Sequence, residues 1–165
     1  MSPIRILGIG SPSGDDQAGW LTVDALRAGG VQTTGDEIFI QKLDRPGANL
    51  ITLLDNAAWV ILIDAMQSHD VFGRIQRFSA EDWPTYRQGL SSHGFGVLNS
   101  LALARELNTL PRRLDLYGIE ISSTGPGQQA SSEIQAAAQQ LARYIAADIL
   151  SRKTTQEYYP AAIQT

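Results

Sequence analysis

The sequence predicts an α/β protein: a three-layer α/β/α sandwich around a twisted, mostly parallel sheet of five strands. Three observations carry this. Strand-like and helix-like segments alternate in the order β-α-β-α-β-β-α-β-α, the pattern that lays helices on the faces of a parallel sheet. The run "WVILIDA" (59–65) is apolar on both faces, as a central strand covered on both sides must be. The chain has 165 residues, 43% of them apolar, which is enough for one real core and too apolar for disorder.

Taken in order, "IRILGI" (4–9) reads as a buried strand ended by Gly10. Residues 17–28 read as a helix with Ala18, Leu21 and Ala25 on one stripe. "EIFIQKL" (37–43) is a second strand; Pro46 and Gly47 mark a turn, and "NLITLLDN" (49–56) a short helix. After the central strand, "GRIQRFS" (73–79) alternates and suits an edge or hairpin partner, and residues 80–95 read as irregular. "GVLNSLALAREL" (96–107) is helical with Val97, Leu101 and Ala104 aligned. "RLDLYGIE" (113–120) is a strand, "STGPGQ" (123–128) a loop, and 132–150 the longest helix. In that helix Ile134, Ala138, Leu141 and Ile145 share a face, and Ser131 is the expected N-cap. Residues 1–150 form one domain in this reading. "SRKTTQEYYPAAIQT" (151–165) loses the helical period and reads as a flexible tail.

Composition narrows the function. Thirteen basic against seventeen acidic residues give a net charge of −4, which offers no electrostatic footprint for nucleic acid. No apolar run is long enough to span a bilayer, and the N-terminus lacks the order of a signal peptide. The chain has no cysteine, so it has neither disulfides nor thiolate metal sites. The expectation is a soluble cytoplasmic domain, a monomer, with no nucleic-acid partner and no membrane insertion.

Ligands of such sheets sit at the carboxyl ends of strands. Four polar groups fall there: Asp15 and Asp16 after the first strand, Asp64 closing the central one, and His93 in "LSSHGFG" before a helix. Gly8, Gly10 and Gly14 give G-x-G-x-x-x-G, one residue too long for a dinucleotide fingerprint, and two acids at a helix start repel phosphate. One of the two acids serves a helix dipole; the other is free to face the crevice. Asp64 follows five apolar residues, and a buried carboxylate needs partners or a metal, unless it merely caps a loop amide. A lone histidine is more often structural than a ligand, but the small residues and glycines around His93 favour a site. His69, in "MQSHD", reads as part of a turn and ranks below it. Two carboxylates and an imidazole with open positions suit nickel, zinc, iron or manganese, or act as acid and base without a metal. Signatures H-E-x-x-H and G-x-S-x-G are absent, and nothing marks Ser91 or Ser92 as a nucleophile.

These residues, in this order, resemble the nickel–iron hydrogenase maturation endopeptidases. "GIGSPSGDDQAG" matches the family's G-x-G-N turn and acidic D-[DE]-x-x-G; "ILIDA" matches its central strand ending in D-A. "SSHGFGVLNSLALARELNTLP" matches its S-x-H-x-x-G loop in part, and "LYGIEISSTGPGQQASSEI" looks like its last strand, loop and helix. The likeness spans residues 4–150. It implies a peptidase that removes the C-terminal extension of a [NiFe] hydrogenase large-subunit precursor after nickel insertion. The nickel would be carried by the precursor and recognised by Asp16, Asp64 and His93, the same three residues that would be catalytic. Asp16 is the favoured base. The chain departs from the family at Ser11, where asparagine is expected, in a turn one residue shorter, and in "LDRPGANL", which lacks a Gly-Thr pair. Arg45 in that stretch suits a carboxylate of the precursor. Two other readings stand beside this one: a non-catalytic nickel-sensing assembly factor for hydrogenase, and a nucleotide- or nucleoside-binding protein.

Overall fold

The computed structural model describes residues 3–33, 37–68, 70–79, 92–122 and 129–158. The expected loop 123–128, most of the irregular stretch 80–95, His69 and the last seven residues lie outside them. Five strands form one sheet: β1 (Ile4–Gly10), β2 (Ile38–Asp44), β3 (Trp59–Met66), β4 (Ile75–Ser79) and β5 (Arg113–Glu120). Their order is β2-β1-β3-β5-β4. All pairs are parallel except β4 with β5, which is antiparallel. Among the described residues the α-helices are α1 (Ala18–Ala28), α2 (Asn49–Leu54), α3 (Ser92–Glu106) and α4 (Ser132–Tyr158).

The three layers follow from the period-2 alternation of the strands. On β3, Trp59, Ile61, Ile63 and Ala65 face a core built with α1 and α4. Val60, Leu62 and Met66 face the other core, built with α2 and α3. Every residue of β3 is buried, so the sequence signal of a strand apolar on both faces is borne out. The alternating segment 75–79 is an edge strand as expected, and its partner is β5.

Several expectations need correction. The buried stripe of α1 is Ala18, Gly19, Thr22, Val23 and Leu26; Leu21 and Ala25 are only partly buried. Gly19 shifts the stripe by packing its backbone into the sheet. A Cβ there would collide with the carbonyl oxygens of Ile9 on β1 and Ile63 on β3. Helix α3 begins at Ser92, so His93 stands in its first turn and not in a loop before it. Helix α4 continues to Tyr158, eight residues into the stretch read as a tail. The apolar stripes expected on α3 and α4 are borne out: Val97, Leu101, Ala104, Ile134, Ala138, Leu141 and Ile145 are all buried.

Candidate active site

The strand order places the switch point of the sheet at β1. Strand β2 lies on one side of it and β3 on the other, and ligands of open α/β sheets bind outside the carboxyl ends of such a pair. The chain leaves β1 at Gly10 and enters a 3₁₀ turn, Gly14–Gln17, that carries both acids. Gly10 allows this close return: a Cβ on it would sit 2.5 Å from the carbonyl oxygen of Asp16. Gly14 takes φ +50°, in the left-handed region glycine tolerates. The glycines therefore bring the acidic turn onto the strand ends, and the phosphate-cradle reading of them has no geometric support.

The two acids divide. Asp15 reaches across to the start of α4, where its Oδ1 accepts from the backbone N–H of Ser131 at 2.7 Å and from its hydroxyl at 3.0 Å. One acid does serve a helix N-terminus, but that of α4 instead of its own helix. Ser131 is the residue before α4 as expected, though its hydroxyl donates to Asp15. Asp16 is 1% exposed and accepts a short hydrogen bond from the Ser11 hydroxyl, 2.5 Å, at Oδ2.

Asp64 sits on β3 opposite Gly118 of β5, two residues before the strand ends. It is fully buried. Its place in the alternation puts it on the face of α2 and α3, with Leu62 and Met66. Oδ1 accepts from the backbone N–H of Ala65 at 2.8 Å, while Oδ2 has no hydrogen-bond partner among the described residues. Burial pushes the Asp64 carboxyl well above the usual carboxylate range; the Ala65 amide opposes this, and the negative charge of Asp16 adds to it. That last influence brings Asp16 and Asp64 into one electrostatic unit. Helix α3 ends shortly before β5 begins at the amino end of the sheet, so its first turn, with His93, points toward the carboxyl end. The side chain of His93 lies outside the described ones, as does His69. No cluster of three metal-ligating side chains occurs among the described residues.

Sequence reasoning missed Glu120. It closes β5 next to Asp64's strand and is buried. Its carboxylate accepts from the backbone N–H of Ser68 at 2.8 Å, the Ser68 hydroxyl at 2.7 Å and the backbone N–H of Asp70 at 3.2 Å. It thereby fixes the loop that follows β3. The signal was available in "YGIE", an acid ending an apolar strand just as Asp64 does. Beside it opens a cleft of about 390 Å³ lined by Gln67, Asp70, Phe72, Glu120, Ile121 and Ser122. Arg45, at the carboxyl end of β2, pairs with its exposed neighbour Asp44 at 2.9 Å.

Residues 46–148 match the family model described as hydrogenase maturation protease. That match includes Asp64 and His93 and begins after the acidic turn. No curated protein matches the chain. Among solved structures, the hydrogenase maturating endopeptidase HybD from Escherichia coli is similar at 22% identity and a TM-score of 0.78, over 91% of this chain and 93% of that one. The [NiFe] hydrogenase maturation protease HybD from Thermococcus kodakarensis is similar at 21% identity and a TM-score of 0.69, over 89% and 98%. HycI from the same organism gives 22% and 0.67, over 88% and 91%. These likenesses show a common fold.

Proposed function

The chain belongs to the hydrogenase maturation protease family and is a peptidase; on that premise we propose that it trims the C-terminal extension from a nickel-loaded [NiFe] hydrogenase large-subunit precursor. The single observation that supports this best is the pair of buried acids at the switch point: Asp16, and Asp64, whose carboxyl is pushed up by burial and further by the charge of Asp16. Such a pair gains from meeting a cation, and the nickel carried by the precursor is a cation presented with its own ligands. In this reading Asp16, Asp64 and His93 contact that nickel, and Asp16 serves as base for the attack of water on the scissile carbonyl. The carbonyl carbon gains the water oxygen, Asp16 takes the water proton, and the leaving amine regains a proton as the C–N bond breaks. The cleft beside Glu120 gives the extension a path along the carboxyl ends of β3 and β5. The proposed setting is cytoplasmic, with the precursor as partner. No helix among the described residues is long and apolar enough to cross a membrane.

The alternative, a nickel-sensing assembly factor, rests on Ser11 standing where asparagine is expected; Ser11 donates to Asp16.

Intact-mass spectrometry tests the proposal. The purified protein is incubated with nickel-loaded and nickel-free precursor in parallel. Loss of a short C-terminal peptide from the loaded form alone is expected. No mass change, with a precursor that a hydrogenase-processing extract does trim, overturns it. Asp16→Asn and His93→Ala are each expected to slow trimming by roughly 10²–10⁴-fold with the fold retained. Wild-type trimming in both variants removes the roles given to these residues.

A further inference from the structure

We propose that Ser11 is a positioning residue for Asp16, setting the orientation of that carboxylate for the trimming reaction; the inference rests on the role given to Asp16 above. Ser11 is the first residue beyond β1 and is 3% exposed. Its hydroxyl donates to Oδ2 of Asp16. The backbone also ties Ser11 to Asp16, the Ser11 N–H donating to the Asp16 carbonyl at 3.4 Å, and the Asp16 N–H donates to the Ser13 carbonyl at 3.0 Å. Main chain and carboxylate of Asp16 are thus both fixed from the segment that follows β1. Asp15 secures the outer side of the same turn through Ser131. The turn is held at two points, through Asp15 to Ser131 and through Asp16 to Ser11.

A hydroxyl suits this position chemically. A lysine or arginine there would orient the carboxylate and also neutralise the charge that a base needs. A hydroxyl offers a donor with no charge, so it offsets part of the cost of burying the carboxylate. It is also both donor and acceptor. The Ser11 rotor can donate to the carboxylate before proton uptake and accept from the carboxylic acid afterwards, with no heavy atom moving. A misplaced reacting group loses on the order of 10²-fold for a displacement of about 1 Å.

The test uses the full chain and the nickel-loaded precursor, with kcat and KM for trimming measured separately. Ser11→Ala is expected to lower kcat by about 10–100-fold with KM changed less than about twofold. Ser11→Thr, which keeps the hydroxyl, is expected to restore kcat to within about threefold of wild type. Thr22→Val is the control: it removes another buried hydroxyl bond, Thr22 to the Ala18 carbonyl at 2.9 Å in α1, without touching Asp16. Thermal melts of all three establish folding. A Ser11→Ala loss no larger than that of Thr22→Val overturns the inference, as does a loss carried by KM alone or a folded Ser11→Thr that fails to rescue. If Ser11→Ala trims as wild type while Asp16→Asn is inactive, the inference falls and the reading of Asp16 stands. If both trim as wild type, the reading of Asp16 falls with it.

Discussion

Two buried aspartates on neighbouring strands live opposite lives. Asp64 lies toward the carboxyl end of β3, Asp115 toward the amino end of β5. Asp115 is 2% exposed and accepts from four donor groups: Trp59 Nε1 at 2.8 Å, Arg77 Nε and Nη2 at 3.0 and 2.7 Å, and Arg113 Nε at 2.7 Å. The network extends further: Arg113 donates to Asp148 at 2.9 Å, and the guanidinium groups of Arg113 and Arg152 lie 3.9 and 4.4 Å from the Trp59 ring. Asp64 has one backbone donor and a negatively charged neighbour. Same residue type, same burial, same sheet: the difference is compensation. At the amino end the protein surrounds an acid with cations and fastens β3, β4, β5 and α4 together. At the carboxyl end it leaves Asp64 under-compensated, which costs stability and leaves a place where an incoming cation is favoured.

Mutations at the two ends of the sheet should differ in size and in sign. Asp115→Ala strands an indole N–H and takes a shared carboxylate from Arg77 and Arg113, and should cost about 1–3 kcal/mol in urea unfolding; a loss below about 1 kcal/mol would mean the hub is decorative. Asp15→Ala tests an acid at the site end that is compensated; losing both Ser131 bonds should cost about 1–2 kcal/mol. Asp64→Asn should act with the opposite sign, raising the urea midpoint at pH 8 while abolishing trimming. The sign follows from the raised carboxyl of Asp64: its stabilising form is the protonated one, complete below the ordinary aspartate value of 3.8 and lost as pH rises through the higher folded value. The gain from Asp64→Asn should therefore vanish below about pH 3.8, and destabilisation at pH 8 would show that Asp64 is compensated after all. Lys42→Met removes an exposed pair with Asp24 and sets the baseline, with a change within about 0.5 kcal/mol.

How much of this was legible in the sequence depended on the distance between cause and effect along the chain. The strands were legible because burial on both faces writes itself into consecutive residues, as in β3. Asp16 and Asp64 were legible as candidates because each ends or follows an apolar run. The partition between Asp15 and Asp16 was not, since it depends on Ser131, 116 positions away. The Asp115 hub was invisible for the same reason, with Trp59 56 positions distant. The stripe of α1 was misjudged because Gly19 has no side chain to announce that its backbone is what packs. Beyond residue 150 the apolar period fades, yet the helix continues, since hydrogen bonding along the backbone needs no buried face. His93 lay in a glycine-containing segment that read as loop and became the first turn of α3.

The bond between Asp15 and Ser131 has a consequence for how the protein is made. The acidic turn is synthesised 116 positions before the donors that tether it. During synthesis β1, α1 and their acids emerge long before the donors that dock them. Until the start of α4 clears the exit tunnel, the turn lacks its outer anchor. If the chain works as proposed, trimming competence should therefore arrive only once α4 has formed, so that a nascent chain stalled before Ser131 is silent toward the precursor.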